Sequence, residues 1–364
     1  MIVKKLQLIN FRNYKKEEIL FDPGINVITG LNAQGKTNLL ESLIYLSLTR
    51  SYRIHEDREL IKHDEEYAKI SCIYEDDREK RIETIIHPNG KTLLINKIPI
   101  KKSSEFIGQL NTVLFSPDDL SIFKDSPRIR RRLVDQEITK LSPTYLGALT
   151  RYQNLLKNRN SILKEFQPDE NYLNILDNQM IKEQIIIIKE RKGFIDFINQ
   201  NINHIFQKLS GDTNDIRIDY LSCIETNDIE NNLSKMYELS RRKDLENHVT
   251  NTGIHREDIL FCINDKDLNY VASQGQKRMV MLAFKISLLS YIEEKIHKKP
   301  ILLLDDVLSE LDEQKQERLL DMVKSPYQCL ITSTSIPNSL KRYLEYEYVV
   351  QNGRVVKKGR TRDE

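Results

Sequence analysis

The sequence predicts an α/β fold, a mixed and mostly parallel sheet flanked by helices and split by an inserted helical lobe. Three observations point there. A glycine-rich loop, Gly30-Leu31-Asn32-Ala33-Gln34-Gly35-Lys36-Thr37, lies between a short apolar strand pattern and a helical one. About 270 residues later, Ile301-Leu302-Leu303-Leu304-Asp305-Asp306 is an apolar run ending in two carboxylates, the pattern of a strand buried on both faces of a parallel sheet. Between them, apolar residues recur by sevens over two stretches, which is a helical period.

The loop fits G-x-x-x-x-G-K-[ST] at every fixed position. Ile25–Thr29 reads as the strand before it, and Asn38 opens the helix after it. Glycines at both ends let the backbone curl, so that successive N–H groups converge on phosphate oxygens. The helix N-terminus adds its dipole. In this pattern Lys36 reaches the β- and γ-phosphates and the Thr37 hydroxyl faces Mg²⁺. Nucleotide binding is the expectation; which nucleotide, and for what, is not contained in the loop.

The acidic strand supplies the second half of such a site. Ligands sit at the C-terminal ends of strands in open α/β sheets. Asp305 is placed there to hold Mg²⁺, and Asp306 to orient or deprotonate a water. The alternative for both is a helix cap. A second apolar strand, Cys329–Thr332, follows.

The inserted region reads as two helices. Tyr145, Leu149, Tyr152, Leu156, Arg159, Leu163 and Phe166 alternate four and three apart, a seam interrupted by one arginine. Gln167–Asn171 reads as a turn. Ile181, Ile188, Ile195, Ile202 and Leu209 then mark a longer helix. This is a short antiparallel, coiled-coil-like hairpin, either a projecting arm or part of a bundle core. The expected organisation is residues 1–125 as the first part of the nucleotide-binding head, 126–250 as the helical lobe and 251–364 as the rest of the head.

Ser273-Gln274-Gly275-Gln276 stands directly before an apolar helical run, Met279, Leu282, Ala283 and Ile286. Ser273 is either a plain N-cap or part of an anion-holding helix start.

Totals exclude other classes. The chain has 364 residues and a formal net charge of +2, too balanced to mark a nucleic-acid binder by itself. Four cysteines, Cys72, Cys223, Cys262 and Cys329, are far apart with no C-x-x-C pair, which argues against a zinc or disulfide framework. No signal segment or membrane-length apolar run is visible, so a cytoplasmic protein without membrane attachment is expected. Two stretches are locally basic, Arg50, Arg53, Arg58 and Lys62, and Arg128, Arg130, Arg131 and Arg132. Either they neutralise DNA phosphates or they are solvated faces paired with Glu56, Asp57, Asp135 and Glu137.

Together the motifs resemble the ATP-binding-cassette ATPases of chromosome maintenance and repair, and within them the RecF recombination-mediator family. The residues that carry this are Asn10-Phe11-Arg12-Asn13-Tyr14, the loop from Gly30 to Ser42, Phe115–Leu120, Ser126–Asp135, Gly253–Ile259, Ser273–Arg278 and Leu302–Asp312. The resemblance implies that Ser273, Gly275 and Gln276 form a signature that caps the γ-phosphate on the other subunit's loop. Two ATP molecules would then be sandwiched in a two-fold homodimer. It places Arg12 and Asn13 near the nucleotide and Thr334 where transporter ATPases carry a switch histidine. It implies ATP-dependent binding to duplex DNA at gaps and junctions, DNA-stimulated but weak ATP hydrolysis, and handover to RecR and RecO and thence RecA. Asp306 stands where many relatives have Glu. That shorter carboxylate, with the missing histidine, implies slow hydrolysis that acts as a timer.

Overall fold

The computed structural model describes residues 1–324, 327–344 and 346–359. These fall into two compact units, Met1–Leu120 with His204–Asp212 and Arg278–Glu364, and Ser121–Asn203 with Thr213–Lys277.

The first unit holds two six-stranded sheets. Strands β1 (Ile2–Phe11), β2 (Tyr14–Leu20), β3 (Ile25–Thr29), β4 (Ala68–Glu75), β5 (Glu79–His87), β6 (Gly90–Ile95), β7 (Ile98–Ile100) and β8 (Thr112–Phe115) come first in the chain. In the second unit lie β9 (Ile216–Leu221), β10 (Asp258–Ile263) and β11 (Lys266–Asp267). Back in the first are β12 (Ile301–Asp305), β13 (Cys329–Ser333), β14 (Tyr346–Gln351) and β15 (Arg354–Gly359). One sheet is an antiparallel meander in the order β2-β1-β4-β5-β6-β7. The other has the order β15-β14-β3-β13-β12-β8, parallel throughout except for the β14–β15 hairpin. Its central strands are buried along their whole length, which is why they read as unbroken apolar runs.

The helices are α1 (Lys36–Leu48), α2 (Ser103–Phe106), α3 (Pro127–Leu141), α4 (Pro143–Ile162), α5 (Glu170–Ser210), α6 (Ile229–Asn247), α7 (Leu268–Val271), α8 (Gln274–Ile296), α9 (Glu313–Val323) and α10 (Asn338–Lys341). Helix α1 packs between the two sheets. Its Leu39, Leu40 and Leu43 share one core with Leu6 and Leu8 of β1, Ile70 of β4, Leu303 of β12 and Leu330 of β13. A helix covered on two sides needs little amphipathicity, and ten of its thirteen residues are buried.

The second unit contains the expected antiparallel hairpin. Arg151 pairs with Glu183, Arg159 with Asp177, and Arg191 reaches Tyr145, so α4 and α5 run in opposite directions. The sevenfold stripe of α5, Ile181 to Leu209, is buried. Two details differ from expectation. Helix α4 ends at Ile162, before the Gln167–Pro168 turn, and Phe166 is 99% exposed rather than part of the seam. Arg159 does not interrupt the seam but is fully buried, because α6 closes over it. Its guanidinium donates to Asp177 (2.6 Å), Asp244 (2.8 Å) and Thr250 (2.9 Å). The hairpin is thus part of a three-helix core.

The division between units falls at Lys277 rather than near residue 250. Residues 251–277 stay with the helices because β10 pairs along its length with β9. The Gly253–Ile259 motif is an internal brace there. Glu257 is 2% exposed and accepts from Arg191 (2.7 Å), Tyr220 (2.5 Å), Ser222 and the Cys223 amide.

Candidate nucleotide site

The site is built at the C-terminal ends of β3, β12 and β13, where parallel register brings distant residues level. Asp305 is opposite Thr332, and Ser333 is opposite Thr29. Thr37, the second residue of α1, donates from its hydroxyl to Asp305 Oδ1 at 3.1 Å. The two halves read from the sequence therefore meet.

The loop from Gly30 to Gly35 curls as its glycines permit. Gly30 (φ 149°) and Gly35 (φ 117°) lie in the region that favours glycine. A Cβ on Gly30 would come within 2.4 Å of Val350 O, and one on Gly35 within 2.5 Å of Asn13 Nδ2. Ala33 also has positive φ, and Leu31 projects 75% exposed. Asn32 is exposed as well, while Gln34 accepts from the Asn352 amide (2.7 Å) and ties the loop to the β14–β15 turn. Lys36 folds back into the loop. Its ammonium donates to Gly30 O (2.5 Å) and Leu31 O (3.1 Å). Burial lowers its pKa, partly offset by Asp306 and Asp305. A lysine held by two carbonyls of its own glycine-rich loop stands where that kind of loop receives an anion.

The N-terminal Asn10–Tyr14 turn braces this loop from behind. Asn13 donates to Gln34 O (2.7 Å) and accepts from Asn38 (3.0 Å), and Tyr14 donates to Gly35 O (3.0 Å). Arg12 makes a two-pronged pair with Glu41 (2.9 and 2.8 Å), a fully buried carboxylate that also accepts from Ser51 (2.5 Å). Glu41 is a residue the sequence reasoning missed. A glutamate among the buried positions of an apolar helix was its only signal.

The acidic strand shows a second omission. Thr334, expected to face the nucleotide from the switch position, lies one residue past β13 and is exposed. Thr332, which the sequence reading did not single out, is the threonine that the parallel register puts beside Asp305. Its hydroxyl donates to Asp305 Oδ1 (2.7 Å) and accepts from the Asp306 amide (2.9 Å). Asp305 is buried, which raises its pKa against the opposing pull of the Thr332 and Thr37 hydroxyls. Asp306 turns the chain with a positive φ of 52°, and its Oδ1 is buried without a hydrogen-bond partner. Ser309 donates to Asp306 O (2.7 Å), and Arg278 donates to Glu310 O (2.9 Å).

These residues fit a magnesium-bound triphosphate. The donors next to each other, Thr37 and Asp305, are hard oxygens suited to Mg²⁺. The glycine cradle has the shape for phosphate, and the orphaned Asp306 oxygen is a polar atom awaiting a partner.

The Ser273–Gln276 segment lies at the edge of the other unit. There Ser273 and Gln276 form a reciprocal cap: the Gln276 amide donates to Ser273 Oγ (3.2 Å), and the Ser273 amide donates to Gln276 Oε1 (3.0 Å). Ser273 and Gly275 are exposed. The segment is thus both a helix cap and an accessible helix start.

Of the basic residues, Arg130 and Arg131 are engaged internally. Arg130 makes a two-pronged pair with Asp258 (2.8 and 2.7 Å), and Arg131 donates to Glu257 O. For these two the internal-pairing alternative applies rather than phosphate contact, with partners other than those expected: the side chains hold α3 to Asp258 of β10 and to Glu257 just before it. Arg53 is exposed but tied to Asn38 (3.1 Å) and near Glu41 (3.7 Å). Arg50 and Arg128 are exposed and Arg132 is half-buried. Among the described residues no helix is long and apolar enough to cross a membrane.

Comparison with known proteins agrees with this geometry. The family model for the RecF/RecN/SMC N-terminal domain matches residues 2–341. A "DNA replication and repair protein RecF" of Clostridium botulinum strain Loch Maree is 40% identical over 98% of this chain and 100% of its own length. One of Lachnoclostridium phytofermentans is likewise 40% identical, over 98% and 100%. A solved structure described as the recombination mediator protein RecF-ATP in the RecFOR pathway superposes with a TM-score of 0.90 at 35% identity, covering 98% of each chain. An SMC head bound to a ScpA winged-helix domain shares the fold alone, with a TM-score of 0.58 at 19% identity. A glycine cradle, a lysine inside it and an acidic strand one hydrogen bond away, on a chain alike from end to end, give one conclusion: the chain belongs to the RecF family of ABC/SMC-like ATPases.

Proposed function

We propose that this chain is an ATP-dependent DNA-binding protein of recombinational repair. ATP bound with Mg²⁺ holds two copies in a two-fold dimer that clamps duplex DNA near gaps or junctions. The dimer then hands over to RecR and RecO, which load RecA, and slow hydrolysis times its release. The observation that carries the reading is the hydrogen bond from Thr37 to Asp305, 268 residues apart, beside the preformed lysine cradle. Relatives named for DNA replication and repair, and one solved with ATP, support it.

In this reading the backbone N–H groups of Gly30 to Thr37 bind the phosphates, and Lys36 leaves its two carbonyl partners to meet the β- and γ-oxygens. Thr37 and Asp305 hold Mg²⁺, which when bound offsets the charge of the triphosphate. Asp306 accepts a proton from, or orients, the attacking water through the oxygen that has no partner here. Ser273, Gly275 and Gln276, exposed at a helix start, cap the γ-phosphate held by the second copy. Arg50, Arg128 and Arg132 meet DNA phosphates.

The test is solution mass by light scattering with and without Mg²⁺ and ATP. The wild type dimerises only with ATP. Lys36→Met stays monomeric because it does not hold the triphosphate. Ser273→Arg binds ATP yet stays monomeric. If Ser273→Arg dimerises like the wild type, the segment is only a helix cap and the composite site is wrong.

A further inference from the structure

Asp306 is held in a strained backbone conformation. Its φ of 52° lies in the left-handed region, where a residue with a Cβ is crowded. Such a conformation persists only where the surrounding structure holds it in place. On the strand side the hold is Thr332, whose hydroxyl accepts from the Asp306 amide (2.9 Å). On the far side the chain runs directly into a tight turn, Leu308–Glu310. That turn is closed on itself. The Ser309 hydroxyl donates to Asp306 O (2.7 Å), and the Glu310 and Leu311 amides donate to Val307 O (3.3 Å) and Leu308 O (3.2 Å). Gln316 adds bonds to Leu308 O (2.7 Å) and Leu311 O (3.0 Å). Residues 306–311 are therefore one piece, and Asp306 goes where the turn goes.

Arg278 ties this turn to α8. Its guanidinium donates from Nη1 to Glu310 O (2.9 Å) and pairs through Nη2 with the Glu310 carboxylate. A planar fork on two acceptors of one residue fixes orientation as well as distance. The Arg278 side chain is 18% exposed, so the pair is partly shielded from water. The post behind it is firm: residues 279–284, which follow it in α8, are all buried. Arg278, the turn, Asp306 and Thr332 all lie within the first unit.

We propose that Arg278 is a positioning residue for hydrolysis: by gripping Glu310 it holds the turn, and with it the Asp306 carboxylate of the same copy, against relaxation of the strained backbone. The inference rests on the reading above in which Asp306 addresses the attacking water, and adds to it the residue that keeps Asp306 in place. Released from α8, residue 306 returns toward an ordinary negative φ and its carboxylate moves away from that water. Arg278 itself does not touch the nucleotide. It does share a helix start with Ser273, so an effect through Asp306 is to be separated from an effect through the cap on the partner's phosphate.

The test is Arg278→Met, compared with the wild type in steady-state ATP turnover and in ATP-dependent dimerisation by light scattering, with thermal unfolding as the check that the variant is folded. The expected kcat is about 10-fold lower, the size of one charge-assisted hydrogen bond. KM for ATP and ATP-dependent dimerisation stay unchanged. An unchanged kcat overturns the proposal. So does a lost dimer or a raised KM, which places the action of Arg278 at the cap. The same substitution is then made in an Asp306→Asn background. There it lowers the residual rate no further, because a residue that acts through Asp306 has nothing left to position. An additive second loss overturns the proposal. Should methionine unfold the chain, Arg278→Lys, which keeps a charged donor without the fork, is judged by the same criteria. If Asp306→Asn alone turns over ATP like the wild type, it is the reading of Asp306 that fails, a result distinct from a fully active Arg278→Met.

Discussion

Replacing Thr332 with valine removes one hydroxyl and almost no volume, so its consequences trace to two hydrogen bonds. Thr332 is fully buried. Its bond to the Asp305 carboxylate, at 2.7 Å, has a charged acceptor and contributes about 1.5–3 kcal/mol. The Asp306 amide, 2.9 Å from the same hydroxyl, is left without an acceptor at a cost of ~1 kcal/mol or more. Thr332→Val is therefore expected to be about 2–4 kcal/mol less stable in urea unfolding. Electrostatics adds a second signature. Burial raises the Asp305 pKa, and the Thr332 hydroxyl is the leading group that holds it down. Without that hydroxyl the pKa rises further. A metal ligand must be ionised, so the pH at which Mg²⁺–ATP binding is half-lost on acidification moves upward in the variant. For Asp305 itself the stability linkage has the opposite slope from an ordinary paired carboxylate. Its folded pKa is above the unfolded value, so the folded state binds the proton more tightly, and the stability this provides is present at low pH and lost as pH rises through the folded pKa. Thr332→Ser keeps the hydroxyl and is expected to recover most of both effects. If valine and serine variants unfold alike and titrate alike, the hydroxyl does not bridge the acidic pair and the argument fails.

Two further outcomes follow from the helical unit. Arg159→Met is expected to destabilise by about 3–5 kcal/mol in denaturant titration, because it strands Asp244 as a buried carboxylate without its cation and leaves Asp177 with Arg241 alone. Lysine at the same place should restore only part, since a single ammonium cannot span both acids as the guanidinium does, and a loss below ~1 kcal/mol for methionine would refute the buried-pair account. His255 has its pKa lowered to about 4, chiefly by burial. Its ring nitrogens meet Tyr152 Oη (2.7 Å) and Thr250 O (3.1 Å), which the neutral imidazole satisfies by accepting from one and donating to the other. The unfolded chain binds that proton more readily, so stability present above pH ~6.5 is lost as pH falls toward 4, by up to about 3 kcal/mol. A stability–pH curve of His255→Gln should be flatter across that window, and an equal slope in both proteins would exclude His255 as its source.

Some of this protein was legible in its sequence because the relevant physics is local. The strand, loop and helix around Gly30–Thr37 follow one another directly, and the steric demand at Gly30 and Gly35 leaves a residue-type signature. The apolar run ending at Asp305 shows burial on both sheet faces, and the α5 stripe shows the helical period. The cap at Ser273 is a matter of neighbours three residues apart. Other features needed the tertiary structure. Only the parallel register of β12 and β13 shows which hydroxyl of Thr332-Ser333-Thr334-Ser335 lies beside Asp305, namely Thr332. Arg159 looked like a break in a two-helix seam, and became a buried tether only once α6 supplied Asp244. Arg130 reads like Arg128 in one dimension, and only the β10 carboxylate of Asp258 separates them. Local sterics and periodicity act along the chain and leave marks in composition and spacing. Pairing between distant charges and hydroxyls depends on which strands lie side by side, and that is decided by the folded core as a whole.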